Sequence, residues 1–453
     1  MPYFIPPYPP RQAKWPSIIK TVWRGRKNLL SIWPEVAFKY DTMHLKLLHK
    51  TVVICNSPET VRHALVTHNA TFERKSHLVR IALKPLIGDS LFISDGALWE
   101  ERRRIVGSII HSSRLAQFEH SMVSTLNETR DALQSKISQP IDMLACMAQL
   151  TAKIICRTAF GQQLDTQSAD QLVKGFANYQ ENVGVFNLMP LLGLPQFVAH
   201  ALKFRMWSSA KSITQLLDKI IANTQIQNDE QNTSFVSSLL SARNKEGKAL
   251  LDSKAVRNEV AVIFLAGQET TANCLAWVWY LLSQSPEVEA RMHAEIDRVL
   301  EGRIPTLEDL PQLIYTRAVI DETLRLYPPV PILTREAMED TSIRRRFVAK
   351  GSLICVVPWL LHRHQKYWDK PDHFNPERFL PDAKPIEKFA YIPFSVGPRV
   401  CAGRAYGLTE ATLTLAMLAQ RYTFELVPGT QVEAISRLTL RPGESLPMIV
   451  RNR

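Results

Sequence analysis

The strongest metal ligand this chain can offer is a cysteine thiolate, and six positions could supply one: Cys55, Cys146, Cys156, Cys274, Cys355 and Cys401. No two of them form a CxxC pair, so the spacing supports neither a zinc ribbon nor a dithiol redox motif. Five sit among apolar or β-branched neighbours and read as small core hydrophobes. Cys401 is different. It lies in Phe394-Ser-Val-Gly397-Pro-Arg399-Val-Cys401-Ala-Gly403-Arg404, with glycines at −4 and +2 and a helix-forming run directly after it. Glycines let backbone N–H groups turn toward the sulfur, the positive end of the helix favours a thiolate, and Arg399 adds a cation two residues away. This is the electropositive setting that a reactive or metal-binding cysteine needs.

A second chemical signal interrupts an apolar helix. Val256, Val260, Ile263, Phe264, Gly267, Thr271, Cys274 and Val278 follow helical spacing over about 254–284, yet the centre reads Ala266-Gly267-Gln268-Glu269-Thr270-Thr271. Thr270, four residues after Ala266, shares its face, and Gly267 weakens the helix interior. Two further pairs have helical spacing: Glu322 with Arg325, and Trp99 with Arg103. The Glu-x-x-Arg pair means little alone. With 26 Glu and 33 Arg in the chain, about two such pairs are expected by chance.

Taken together these residues resemble the cytochrome P-450 superfamily. The Cys401 segment matches its haem-ligand signature FxxGxRxCxG at all five specified positions. The composition gives roughly 2 × 10⁻⁵ chance matches per chain of this length. The resemblance implies haem b, with Cys401 as axial ligand of the iron, pushing electron density toward the metal. It further implies that Phe394 packs against the sulfur side of the porphyrin, that Gly397 and Gly403 belong to the cofactor-binding loop, and that Arg399 pairs with a propionate. Trp99 and Arg103, stacked one turn apart, and Arg335 would serve the propionates as well. Ala266, Gly267, Glu269 and Thr270 resemble the family's oxygen-binding motif. There Gly267 would leave room over the iron and a local kink, Thr270 would hydrogen-bond the distal oxygen, and Glu269 would feed protons, since splitting O–O consumes two of them. Glu322, Arg325 and Arg378 match a structural charged triad.

The elements that must position these residues are mainly helical. Helical periodicity runs from about 97 to 325, with breaks near 138–140, 160–165, 189–195 and 228–233. Leu45 to Ile54 reads as a strand pair, 57–68 as a helix opened by Ser57, and 342–361 as strand around a Lys350-Gly351 turn. Residues 367–400 lack periodicity, 407–422 is a buried helix, and a β-rich tail follows. The resemblance covers about residue 50 onward and implies one large unit over 1–453: a triangular helical prism, mainly α with a minor β part. In it haem lies between the long central helix and the cysteine-loop helix. Residues 1–50 read as a proline-rich wrap, and with about 50 residues after Cys401 no fused reductase is expected.

Composition narrows the class. Hydrophobic residues are 45% and charged residues 22%, which excludes disorder and coiled coil. Six thiols make no disulfide scaffold, no signal peptide is apparent, and no run of about 18 apolar residues predicts a membrane span. A reducing, cytoplasmic setting and a monomer without a transmembrane anchor are expected. The net charge of +12 favours acidic partners, and no nucleic-acid motif accompanies it; the resemblance implies an acidic ferredoxin- or flavodoxin-type donor with its NAD(P)H reductase. Arg102, Arg104, Lys388 and Arg404 are its expected docking cations.

The expected activity is a haem-thiolate monooxygenase inserting one atom of O₂ into an apolar substrate. The alternatives are a peroxygenase or isomerase, against which the Glu269-Thr270 pair argues, and a haem sensor, which has no need of a proton relay. Phe92, Phe176, Tyr179, Val185, Phe186, Leu188 and Met189 are expected around an apolar pocket, with Arg80 and Lys84 as possible carboxylate anchors.

Overall fold

The helix Ser253–Ser283 is the axis of the molecule, begun by the Asp252 side chain accepting the Ala255 N–H at 2.7 Å. From Thr271 to Leu282 every residue is buried, so this half is apolar all round and needs partners on all sides. It finds them in the helices Met143–Phe160, Ile314–Leu326 and Arg404–Ala419. Trp277 stacks flat on Tyr327, with centroids 3.5 Å apart. This computed structural model describes residues 3–47, 50–161, 166–186, 196–227, 234–436 and 438–453.

Met143–Phe160 is long and apolar enough to cross a membrane, although no such segment was expected from the sequence; 67% of it is buried inside the protein. Its inward face answers the central helix at close range. A Cβ on Gly267 would come within 3.1 Å of Ile155 Cδ1, and Thr151 donates its hydroxyl to the Gln268 carbonyl at 3.0 Å.

The minor β part is a four-stranded sheet in the order Thr42–Leu47, Lys50–Cys55, Leu353–Val356 and Leu333–Glu336. The expected hairpin is its outer pair, and Arg335 faces Ile354 across the last two strands. A second sheet joins Pro140–Asp142, Pro447–Asn452 and Tyr422–Leu426. The strand reading of 342–361 fails at its end, where Pro358–Leu361 is a helical turn. Proline at the first helical position has its φ preset and loses no helical bond there. The cysteine-loop helix begins earlier than its periodicity suggested, at Arg404, and gives way to strand at Tyr422. The breaks expected at 189–195 and 228–233 lie outside the described residues.

Glu322 and Arg325 form a two-point ion pair at 2.6 and 2.8 Å with both side chains wholly buried. Arg325 also donates to the carbonyls of His362, Pro371 and His373, and Arg378 Nε stands 3.4 Å from Glu322. Glu322 further accepts the Asn375 N–H at 2.8 Å. A buried ion pair stabilises only when its remaining donors and acceptors are satisfied. Here they are, and the aperiodic segment 362–378 is pinned to the helix Ile314–Leu326.

The proline-rich start is strapped to the same region. Phe4 O accepts the Phe374 N–H at 2.9 Å and Pro7 O accepts the Tyr327 hydroxyl at 2.7 Å. Arg11 lies against the Tyr8 and Phe38 rings and pairs with Asp372. A helix that the wrap reading did not anticipate, Ile18–Lys27, follows with Ser17 as its cap.

Candidate active site

Among the six cysteines Cys401 alone is exposed. Burial pushes the thiols of Cys55, Cys156, Cys274 and Cys355 up to about 12 and that of Cys146 to about 11, so all five stay protonated and inert. Cys401 is crowded as well as accessible, the combination expected at the floor of a recess rather than on a convex face. Crowding raises its thiol, while the Gly403 N–H and the charges of Arg103, Lys75 and Arg404 pull the other way.

The loop is held by backbone. Cys401 N–H donates to Phe394 O at 2.9 Å and Val400 N–H to Gly397 O at 3.0 Å. Gly397 has φ +75°, and a Cβ there would fall 2.0 Å from the Leu65 carbonyl oxygen, so the loop lies hard against the turn 63–67. At Gly403 a Cβ would meet no protein atom within 4 Å. The half-buried Phe394 ring is overlaid by Arg404 at 5.9 Å.

Four cations from separate elements converge beside Cys401: Lys75, Arg103, Arg335 and Arg399. Lys75 was missed in the sequence. It is paired by a β-bridge to Arg335, and the flanking motif gives no signal for it. Burial, with Arg335 and Arg399 adding repulsion, drives its ammonium well below the ordinary range. Arg335 is 2% exposed, pushed down to about 10 by burial and by Arg399, and its Nε has no hydrogen-bond partner. Arg399 gives one nitrogen to Glu73 at 2.6 Å, but its Nε and Nη1 are unpartnered. Buried guanidinium donors without acceptors are costly. A group bearing two carboxylates would satisfy them, so these residues fit the propionates of a haem.

The Trp99 and Arg103 pairing needs correcting. The guanidinium over the Trp99 ring belongs to Arg399, 4.3 Å from the centroid, while Arg103 is the cation felt by Cys401.

On the central helix Ala266 is exposed between half-buried neighbours, which opens the helix face at the expected place. Thr270 donates its hydroxyl to Ala266 O at 2.6 Å, and Glu269 is half-buried beside it. The role expected of Gly267 is not what the packing shows. The helix runs unbroken through it, and its missing side chain admits Ile155 rather than a ligand. The two motifs are brought together through Thr271, whose hydroxyl oxygen lies 3.7 Å from where a Cβ of Gly407 would stand. Thr271 also bonds Glu410, a 2% exposed carboxyl that burial raises far above the usual range, and this group too went unnoticed in the sequence.

The proposed pocket and surface groups divide. Phe176 stacks on Phe264 at 4.3 Å and Tyr179 donates to Ala82 O at 2.7 Å; both are fully buried core, not lining. Phe92 is 39% exposed, under the Lys75 ammonium. Leu188 and Met189, and the side chains of Val185 and Phe186, lie outside the described residues. Arg80 is paired to Asp95 at 2.9 Å and Lys84 to Asp89 at 2.9 Å, so neither is held ready for a substrate carboxylate. Arg104, Lys388 and Arg404 are exposed, but Arg102 turns inward, 3.7 Å from the buried Glu259.

A family model described as Cytochrome P450 matches residues 7–447. Cyclooctatin synthase of Streptomyces melanosporofaciens is 32% identical over 89% of this chain and 87% of its own length. Cyclooctat-9-en-7-ol 5-monooxygenase of the same organism is 32% identical over 95% and 92%. Among solved structures, the heme domain of cytochrome P450DA superposes with a TM-score of 0.84 at 23% identity, covering 100% of this chain and 99% of that one, which speaks to the fold.

Proposed function

The chain belongs to the cytochrome P450 family, and from that premise we propose that Cys401 is the proximal ligand of its haem iron. The protein is a haem-thiolate monooxygenase that carries haem b and acts on an organic substrate with O₂ and electrons from a separate redox partner. What bound haem supplies is activation of O₂ at a thiolate-ligated iron. The observation that carries the assignment is the accessible thiol beside buried guanidinium donors that have no acceptors.

In this reading Lys75, Arg103, Arg335 and Arg399 hold the propionates, and Trp99 supports Arg399 from below. Phe394, Gly397 and Gly403 shape the sulfur's surroundings: Phe394 O takes the Cys401 N–H, and the Gly403 N–H favours the thiolate. Ala266 leaves space over the reacting centre. Thr270 holds a proton at Oγ1, bonded to Ala266 O, and would offer it to the space that Ala266 leaves open. Glu269 replenishes that proton. Gly267 serves by letting the helix Met143–Phe160 approach.

The substrate is a neutral, largely hydrocarbon molecule. Arg80 and Lys84 are committed to Asp95 and Asp89, and one relative is named for oxidising cyclooctat-9-en-7-ol. The donor is an acidic ferredoxin or flavodoxin meeting Arg104, Lys388 and Arg404, with the enzyme a monomer in the reducing cytoplasm and its 453 residues one unit. The deciding experiment is the reduced, CO-bound spectrum: a far red-shifted Soret band is expected, and a histidine-type band in folded protein would refute Cys401. A spin-shift screen should respond to neutral cyclic alcohols and not to the matching carboxylates.

A further inference from the structure

We propose that Glu259 is a proton-controlled latch, whose buried carboxyl holds residues 88–95 closed against the central helix beside the haem site. The proposal rests on the reading of that site given above, since the latch matters only if substrate binds there. Residues 88–95 link the helices His77–Ile87 and Gly96–Ile109. They meet the central helix at two successive positions. A Cβ on Gly88, whose φ is +52°, would stand 2.2 Å from Asn258 Nδ2, so the approach requires glycine. Leu91 N–H then donates to both carboxyl oxygens of Glu259, at 3.0 and 3.2 Å.

The same segment reaches the cations around Cys401. The Phe92 ring lies under the Lys75 ammonium, 4.6 Å from it. Gly96 N–H, at the segment's far end, donates to Glu73, the carboxylate that holds Arg399. Lifting the segment would therefore uncover that edge of the site. Its closed position is opposed by polar groups left unsatisfied. Arg102 Nε stands 3.7 Å from Glu259, beyond hydrogen-bond reach, and its Nε and Nη1 find no partner. The hydroxyls of the buried Ser90 and Ser94 find none either. Such groups cost free energy on closure, so the protonation of one carboxyl can tip the balance.

Burial raises the Glu259 carboxyl to about 7, against Leu91 N–H and Arg102, which lower it. When the segment lifts, water reaches the carboxyl and its value returns toward 4.5. The closed form thus keeps a proton that the open form releases. Acid favours closure, and opening grows as pH rises from about 4.5 to about 7, then levels off. The neighbouring charges are committed elsewhere. Arg257 pairs with Asp218 at 2.8 Å and Lys84 with Asp89 at 2.9 Å. Asp95, despite its burial, is held below the usual carboxyl range by Arg74 and Arg80. The helix Phe235–Leu240, which packs on both the central helix and the helix of Arg102, bears no charge.

The test uses the full-length, haem-loaded protein and two readouts. Hydrogen exchange of a peptide spanning 88–96, referred to unstructured peptide at each pH, should show protection falling about tenfold or more between pH 5 and pH 7 and level above. The association rate of tert-butyl isocyanide, a haem ligand without an ionisable group, should rise over the same window. Glu259→Gln, which keeps an acceptor for Leu91 N–H, should be protected and slow at every pH. Glu259→Leu should be unprotected and fast at every pH, with unchanged far-ultraviolet circular dichroism. Arg102→Gln should move the midpoint to higher pH. A pH course in Glu259→Gln equal to the parent's would overturn the latch, as would protection that falls while isocyanide entry stays constant. A histidine-type CO spectrum would count against Cys401 and not against the latch, which the exchange measurement decides by itself.

Discussion

Arg399 lies over the Trp99 indole, its guanidinium carbon 4.3 Å from the ring centroid, while its Nη2 holds Glu73 at 2.6 Å. The ring presents its negative face to the cation and the carboxylate fixes the fork's rotation. Two donors are left aimed elsewhere. The pair is thus a preset clamp, in which Trp99 and Glu73 are positioning residues and Arg399 the group that binds.

The clamp yields a prediction of opposite signs. Lys75, Arg335 and Arg399 repel one another when no added carboxylates are present. Lys75→Met should therefore raise the melting temperature of the haem-free protein by about one degree, equivalent to about 1 kcal/mol. It should also speed haem loss several-fold. Calorimetry and haem transfer to apomyoglobin measure the two effects, and a fall in both stabilities would mean that Lys75 is only a packing residue.

Thr270→Ala removes a hydroxyl that rests on Ala266 O and leaves the helix intact. Substrate spin shift should persist while product per NAD(P)H falls about tenfold or more and peroxide rises. Thr270→Ser should recover most of the yield.

Two glycines should respond differently. Gly397→Ala sets a Cβ 2.0 Å from a carbonyl oxygen at positive φ, and should lose folded, haem-loaded protein outright. Gly267→Ala presses on the end of the Ile155 side chain at 3.1 Å. It should cost about 1–3 kcal/mol, relieved by Ile155→Val, with the CO-bound Soret position unmoved.

Glu259 gives a pH dependence. Burial raises its carboxyl from 4.5 to about 7, against the Leu91 N–H and Arg102, which lower it. The folded chain then keeps a proton that the unfolded chain releases, so stability falls as pH rises from about 4.5 through about 7, by up to about 3 kcal/mol. Glu259→Gln keeps an acceptor for Leu91 N–H at 3.0 Å and should flatten the urea midpoint between pH 5 and pH 8. A slope equal to the parent's would assign the dependence to other groups.

Salt should separate the cations near the cysteine loop. Arg404→Glu should slow the first electron transfer severalfold at low ionic strength, an effect fading above roughly 0.1 M where the Debye length is about 10 Å. Arg102→Gln should lower stability and leave that rate alone, because its side chain faces Glu259.

The cysteine loop, the Thr270 helix and the Glu322–Arg325 pair were legible in the sequence because each is a short-range pattern: glycines at fixed offsets, helical spacing, and order along the chain. Lys75 and Glu410 were not. Lys75 reaches Cys401 through a bridge to Arg335, 260 positions away, and Glu410 is raised far above the usual carboxyl range only by its burial, beside Thr271 of the central helix. For the same reason local spacing suggested Arg103 as the partner of Trp99, whereas folding delivers Arg399, and it placed Gly267 toward a ligand, whereas Ile155 fills that side. Arg102 and Arg104 look alike in sequence, yet one turns inward to a buried carboxylate. What the sequence determined by itself is which residue types recur at which local spacing, and hence the family and its chemistry. Which cation meets which carboxylate, and which side of a helix stays open, was decided by tertiary structure, since burial and charge pairing depend on neighbours brought from distant parts of the chain.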